Sequence, residues 1–196
     1  MLSLMNAMST AEEHASVCIV LHGQPRAIHY EELAEFHQGD SWFGCVLGFR
    51  LLQLAARELA DESGWTVDGV YIVSGHPGPG VRDAIELITG CVTAERFRLL
   101  PDITDNGCNR NMRYEWWISE GDRTLAIRLK SNIVPDVFFA LLDRIGTDFE
   151  KADDRKELDR LKVRLSNRLW ALSLDEAFQF SLTPSPLKPG ELPGAY

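Results

Sequence analysis

The stretch Ser74-Gly-His-Pro-Gly-Pro-Gly80 constrains this chain more than any other. Its prolines lack a backbone N–H and its glycines lack a Cβ, so it can form neither a helix nor a sheet ladder. It is an irregular loop with a histidine inside, and the regular elements must be arranged around it. Upstream, residues 17–21 are a continuous β-prone run ended by Gly23 and Pro25, which predicts a buried strand. Tyr30, Leu33, Ala34 and His37 have helical spacing, and Gly39, Asp40 and Ser41 stop that helix and prepare the next. Over residues 43–63, Gly44, Leu47, Leu51, Leu54, Ala55 and Leu59 form one apolar stripe opposed by Arg50, Arg57, Glu58 and Asp61. Gly44 and Gly48, four apart, leave a smooth patch where another backbone can approach closely. Residues 66–73 predict a strand leading into the loop.

Downstream, residues 82–89 predict a short helix closed by Gly90, and residues 96–100, 113–119 and 123–130 predict strands. The last two are joined by the tight turn Glu120-Gly-Asp122 and form an antiparallel pair. Pro135 opens a helix whose apolar face is Val137, Phe138, Leu141, Leu142 and Ile145. From Asp154 a long charged helix carries Leu158, Leu161, Leu165, Leu169 and Leu172 on one stripe, and Ser173-Leu-Asp-Glu176 reads as a capping box. Strands mixed with helices out of strict alternation give an α+β fold, with a mixed or antiparallel sheet packed against helices. The expected organisation is a core domain over residues 1–147, a helical extension over 148–182, and an extended or disordered proline-rich tail over 183–196.

Composition narrows the function classes. The 29 acidic and 20 basic residues give a formal charge of -9, with the bases scattered among acids, which argues against nucleic acid and against an anionic membrane surface as partners. No apolar run approaches the ~18 residues of a membrane span, and residues 1–9 lack the Lys or Arg of a secretory signal, so the expected location is cytoplasmic. The four cysteines, Cys18, Cys45, Cys91 and Cys108, contain no C-x-x-C pair and are expected as reduced thiols. Cys18 in a strand and Cys45 on a helix read as core. No phosphate-cradling glycine loop, dinucleotide fingerprint or nucleophile elbow is present.

Two places can carry chemistry. Phe36-His-Gln-Gly-Asp-Ser-Trp-Phe-Gly44 sets His37 and Asp40 three residues apart, just before a helix N-terminus with its unpaired amides. The alternative is that Asp40 or Ser41 is the N-cap and His37 an exposed helix end. The second place is His76, where a neutral imidazole can bind a metal or transfer a proton, or stand exposed on a β-to-α connection. Cys91, directly after Gly90, is either a small buried hydrophobe or a thiolate ligand.

Gly44-Cys-Val-Leu-Gly-Phe-Arg50 and Asp83-Ala-Ile-Glu-Leu-Ile-Thr-Gly-Cys91, with Asp105-Asn-Gly-Cys108 after them, are similar in order to motifs of the E-subunit family of formylmethanofuran dehydrogenase. The resemblance covers residues 30–130. It implies an α+β core, often dimeric, with a transition-metal site between the helix start and the following loop. The family's metal-binding positions are altered here: without a gap they fall on Gln38, Asp40, Trp42 and Gly80, and the family's C-terminal zinc finger has no counterpart. The first expectation is therefore a metal-binding protein using His37, Asp40, His76 and Cys91. Nitrogen and sulfur donors favour zinc, with nickel, iron or copper as alternatives. The second is a metal-free relative in which Trp42, Phe43, Gly44 and Arg50 line a cleft for a small anionic ligand or a partner subunit. The expected oligomer is a homodimer, and no reaction is assigned.

Overall fold

A computed structural model describes residues 15–38, 43–103 and 107–194. Strand β1 (Ser16–Leu21) turns at His22-Gly23, both with positive φ, into β2 (Gln24–His29), and the two pair antiparallel from Ser16↔His29 to Leu21↔Gln24. Helix α1 (Tyr30–His37) follows, then α2 (Phe43–Leu59). The expected strand over residues 66–73 is broken by a turn at Asp68-Gly69. Thr66 makes only a bridge to Val20, and β3 is Tyr71–Ser74. After the Gly/Pro loop come α3 (Pro79–Thr89) and β4 (Phe97–Leu99), then the hairpin of β5 (Glu115–Glu120) and β6 (Arg123–Leu129). The chain ends with α4 (Asp136–Leu142), α5 (Asp154–Ala171), α6 (Leu174–Ala177) and β7 (Phe178–Thr183).

The fold is α+β. Its main sheet has the order β4-β3-β5-β6-β7, parallel between β3 and β4 and antiparallel elsewhere. Because side chains alternate across a strand, one sheet face presents Trp116, Ile118, Leu125 and Ile127 to the helices. These share one core with Leu47, Leu51 and Leu54 of α2, Val81, Ile85 and Ile88 of α3, and Leu161, Leu165 and Leu169 of α5. Helix α2 packs on both α3 and α5.

The C-terminal quarter therefore differs from the expected appendage. The leucine stripe of α5 fills the same core as the preceding residues, and β7 is the fifth strand of their sheet, in continuous register from Leu129↔Phe178 to Thr124↔Thr183. The tail differs too. Leu187 and Leu192 pack on Tyr71 and Val73 on the second sheet face, the Tyr71 hydroxyl donates to the Glu191 carbonyl at 2.9 Å, and Arg98 donates to the Gly190 carbonyl at 2.7 Å. Leucines inserted between the prolines give this segment apolar contacts that composition alone hides. Among the described residues no helix is long and apolar enough to cross a membrane.

Candidate functional site

The Gly/Pro loop brings the starts of α2 and α3 together. Pro79 occupies the first turn of α3, where its missing N–H costs nothing. Gly80 lies against the first turn of α2: a Cβ there would stand 2.7 Å from the Cys45 nitrogen and 2.9 Å from the Gly44 carbonyl carbon, so no larger residue fits without moving backbone. Two helix N-termini, each with amides that have no intrahelical partner, thus open on one cavity of about 120 Å³. Phe43, Gly44 and Cys45 line it from α2, Gly78, Pro79 and Gly80 from α3, and His37, His76, Cys108, Tyr114, Phe138 and Lys162 complete the wall.

His76 is the buried centre of this wall, at 3% exposure. Its backbone N–H donates to the Ser74 hydroxyl at 3.0 Å, and that hydroxyl donates to the His76 carbonyl at 3.0 Å, which folds the loop back on itself. Its Nδ1 accepts the Gly78 N–H at 3.1 Å. Burial pushes the imidazole down to about 4, so it is neutral at pH 7, and with Nδ1 accepting, the proton sits on Nε2. The ring lies 4.9 Å from Tyr114 and 6.1 Å from Trp116. Tyr114 turns a hydroxyl into the structure that is buried and has no hydrogen-bond partner among the described residues, and burial raises its ionisation well above the ordinary range.

His37, at the end of α1, holds Asp83 of α3 through Nδ1 at 2.6 Å, which leaves Nε2 as the nitrogen open to other partners. The Cys45 thiol is pushed up to about 12, first by burial and then by the Asp83 carboxylate, and is protonated. Cys108 is exposed as a residue, but its thiol lines the cavity beside Gly78 and is pushed up by burial.

The structure brings together His37, His76, Phe43 and Gly44 of the expected residues. Asp40 and Trp42 lie outside the described residues. Cys91 lies away from the cavity: it is fully buried in the main core, donates its N–H to the Thr89 hydroxyl at 3.3 Å, and has its thiol pushed up to about 11 by burial. Arg50 also points elsewhere, donating to Gln53 at 2.9 Å and to the Leu172 carbonyl at 2.5 Å beside the Trp170 ring. Its task is to tie the end of α5 to α2.

Sequence reasoning passed over Tyr114 and Cys108 as cavity groups and Asp83 as the partner of His37, whereas Cys45 lies in the core as expected and also lines the cavity. A tyrosine at a strand entry carries no local sign of lying against a histidine thirty-eight residues earlier. Among the described residues no three His, Cys, Asp or Glu side chains converge as a metal ion requires, and Nδ1 of His76 is occupied by Gly78. As arranged, these donors do not fit a metal. Neither a model of a known protein family nor a curated protein matches this sequence.

Proposed function

We propose that the chain is a binding module whose cavity between the starts of α2 and α3 takes a small anionic molecule. The observation that carries this is the buried Tyr114 hydroxyl without a partner. It lies on a wall that also presents the His76 Nε2–H and the helix-start amides as donors. A buried donor left unmade costs roughly 1–3 kcal/mol, and an anion's oxygens supply the missing acceptors. At about 30 Å³ per water-sized group, a cavity of about 120 Å³ suits a molecule with about four heavy atoms, the size of acetate or bicarbonate. Trp116, beside His76, is the reporter: titration of acetate, bicarbonate and inorganic phosphate against tryptophan fluorescence is expected to saturate for one of them. Tyr114→Phe is expected to weaken that ligand about tenfold, the loss of about one hydrogen bond to a charged group. No saturation by any of the three up to about 10 mM would overturn the reading.

One observation favours a second reading. The His37 ring is held by Asp83 in the carboxylate-histidine arrangement that commonly supports a metal-bound imidazole. On this reading the cavity is a transition-metal site, zinc first and nickel, iron or copper after it, in a relative of the E-subunit family of formylmethanofuran dehydrogenase. It requires a rearrangement of His76. Elemental analysis of untagged protein decides between the two: near-stoichiometric metal supports this reading, and metal-free protein that binds anions removes it. The macromolecular partner we propose is a second copy of the chain.

A further inference from the structure

The main sheet has two edges, and they are treated differently. At one edge β4 is only three residues long, contains Arg98, and is tied over by the tail through the Gly190 carbonyl. Short length, charge and a covering segment are the devices by which proteins keep a sheet edge from pairing with another chain. At the other edge β7 has none of them. Its sequence Phe-Gln-Phe-Ser-Leu-Thr holds no charge and no proline, its pairing with β6 runs without a bulge over all six residues, and among the described residues nothing hydrogen-bonds its outer side. Phe180 and Leu182, on the face that carries the helices, remain 37% and 44% exposed.

We infer that β7 is a homodimer surface, on which two copies pair antiparallel about a two-fold axis at Ser181 and join their sheets. This takes up the second-copy reading above and assigns it a place. The register follows from the alternation of side chains. A two-fold at Ser181 keeps each face of the sheet continuous and sets Phe180 of one protomer opposite Leu182 of its partner, twice, so that both exposed apolar side chains are covered by each other. On the opposite face Gln179 meets Thr183, a pair able to hydrogen-bond. The strand itself carries no charge. Each chain carries -9, so two copies repel except where the meeting surfaces are neutral. Beside the strand, Arg57 lies over the Phe180 ring at 5.4 Å and is paired with Asp175 at 2.9 Å and Glu58 at 2.7 Å.

The test is sedimentation equilibrium of the full chain, with Leu182→Lys and Phe180→Pro beside it, the latter removing an N–H on the outer side of the strand. The 22.0 kDa chain is expected to sediment at twice its mass, and both variants as monomers with unchanged circular dichroism. A covalent readout guards against a variant that fails to fold: Ser181→Cys, oxidised with diamide, is expected to give a dimer linked 181 to 181 in the digested peptides, because residues facing each other as a non-hydrogen-bonded pair bring their Cβ atoms to about 4.5 Å, within a disulfide's reach. A wild-type monomer overturns both the second-copy reading and this surface. A dimer that survives both variants, or links only through Cys18 or Cys108, overturns the surface alone. None of these outcomes bears on the anion cavity.

Discussion

Replacing Gly80 by alanine tests how closely α2 and α3 approach. The added Cβ would meet the Cys45 nitrogen at 2.7 Å, the Gly44 carbonyl carbon at 2.9 Å and the Cys45 Sγ at 3.0 Å, where ordinary contact begins at about 3.5 Å. Two of the three are backbone atoms, so relief requires the helices to part by close to 1 Å across a packed core. Overpacking of this kind costs typically 1–3 kcal/mol, and alanine's lower unfolded-state entropy returns roughly 0.5–1 kcal/mol. A net loss of about 1–2 kcal/mol corresponds to a melting temperature lower by about 2–8 °C for a chain of this length. Gly44→Ala is the matched control. Its Cβ would find Gly80 Cα at 3.5 Å and nothing nearer, so only the propensity gain acts and stability is expected to rise by up to ~1 kcal/mol. Thermal and urea denaturation followed by circular dichroism measure both. Equal shifts for the two variants, or a Gly80→Ala protein more stable than wild type, would refute the close approach and with it the cavity's geometry.

Two further expectations concern pH and the C-terminal helix. His76 has a folded-state pKa of about 4 against 6.5 when unfolded, so the unfolded chain takes up its proton first. Stability is therefore complete above pH 6.5 and falls as the pH is lowered towards 4, by about 3 kcal/mol in all. In chelator-treated protein, urea midpoints of His76→Phe should lack that acid limb, and an unchanged slope would show that His76 is not buried. Leu169 of α5 is fully enclosed, and Leu169→Ala is expected to cost about 2–5 kcal/mol in urea unfolding. A loss under about 1 kcal/mol would mean that α5 is the appendage its charged surface suggests.

Elements whose signal is local were legible. Helix α1 has the expected bounds, α2 starts where expected at Phe43, and the Ser173 capping box forms, with Ser173 N–H donating to Glu176 at 2.8 Å and the Ser173 hydroxyl accepting Glu176 N–H at 3.2 Å. The strands β2 and β7 were not. Gln-Pro-Arg-Ala-Ile-His is almost wholly exposed, so no apolar alternation marks it, and its partner β1 rather than its own composition makes it a strand. β7 follows a helix and a capping box, and only its pairing with β6, fifty-odd residues earlier, distinguishes it from a helical continuation. The site divides in the same way. His76 stood out because its loop is unusual in sequence, and His37 because it precedes a helix start, whereas the contributions of Asp83 and Tyr114 exist only once α3 and β5 have packed.

The loop itself explains why the cavity needs its odd composition. Each glycine is a point of near contact with a different neighbour: a Cβ at Gly75 would lie 3.0 Å from the Arg113 carbonyl oxygen, one at Gly78 would lie 2.4 Å from His76 Cε1, and one at Gly80 would enter α2. The loop is thus pressed between the first turn of α2 and the entry to β5, and the imidazole is folded under its own following residue. Had Gly78 carried a side chain, the ring could not lie where Nδ1 accepts the Gly78 N–H, and the tautomer that turns a donor to the cavity would lose its support. The glycines therefore set the protonation pattern of the site as well as its shape. This ties the most unusual stretch of the sequence to the donor-rich character on which anion binding depends.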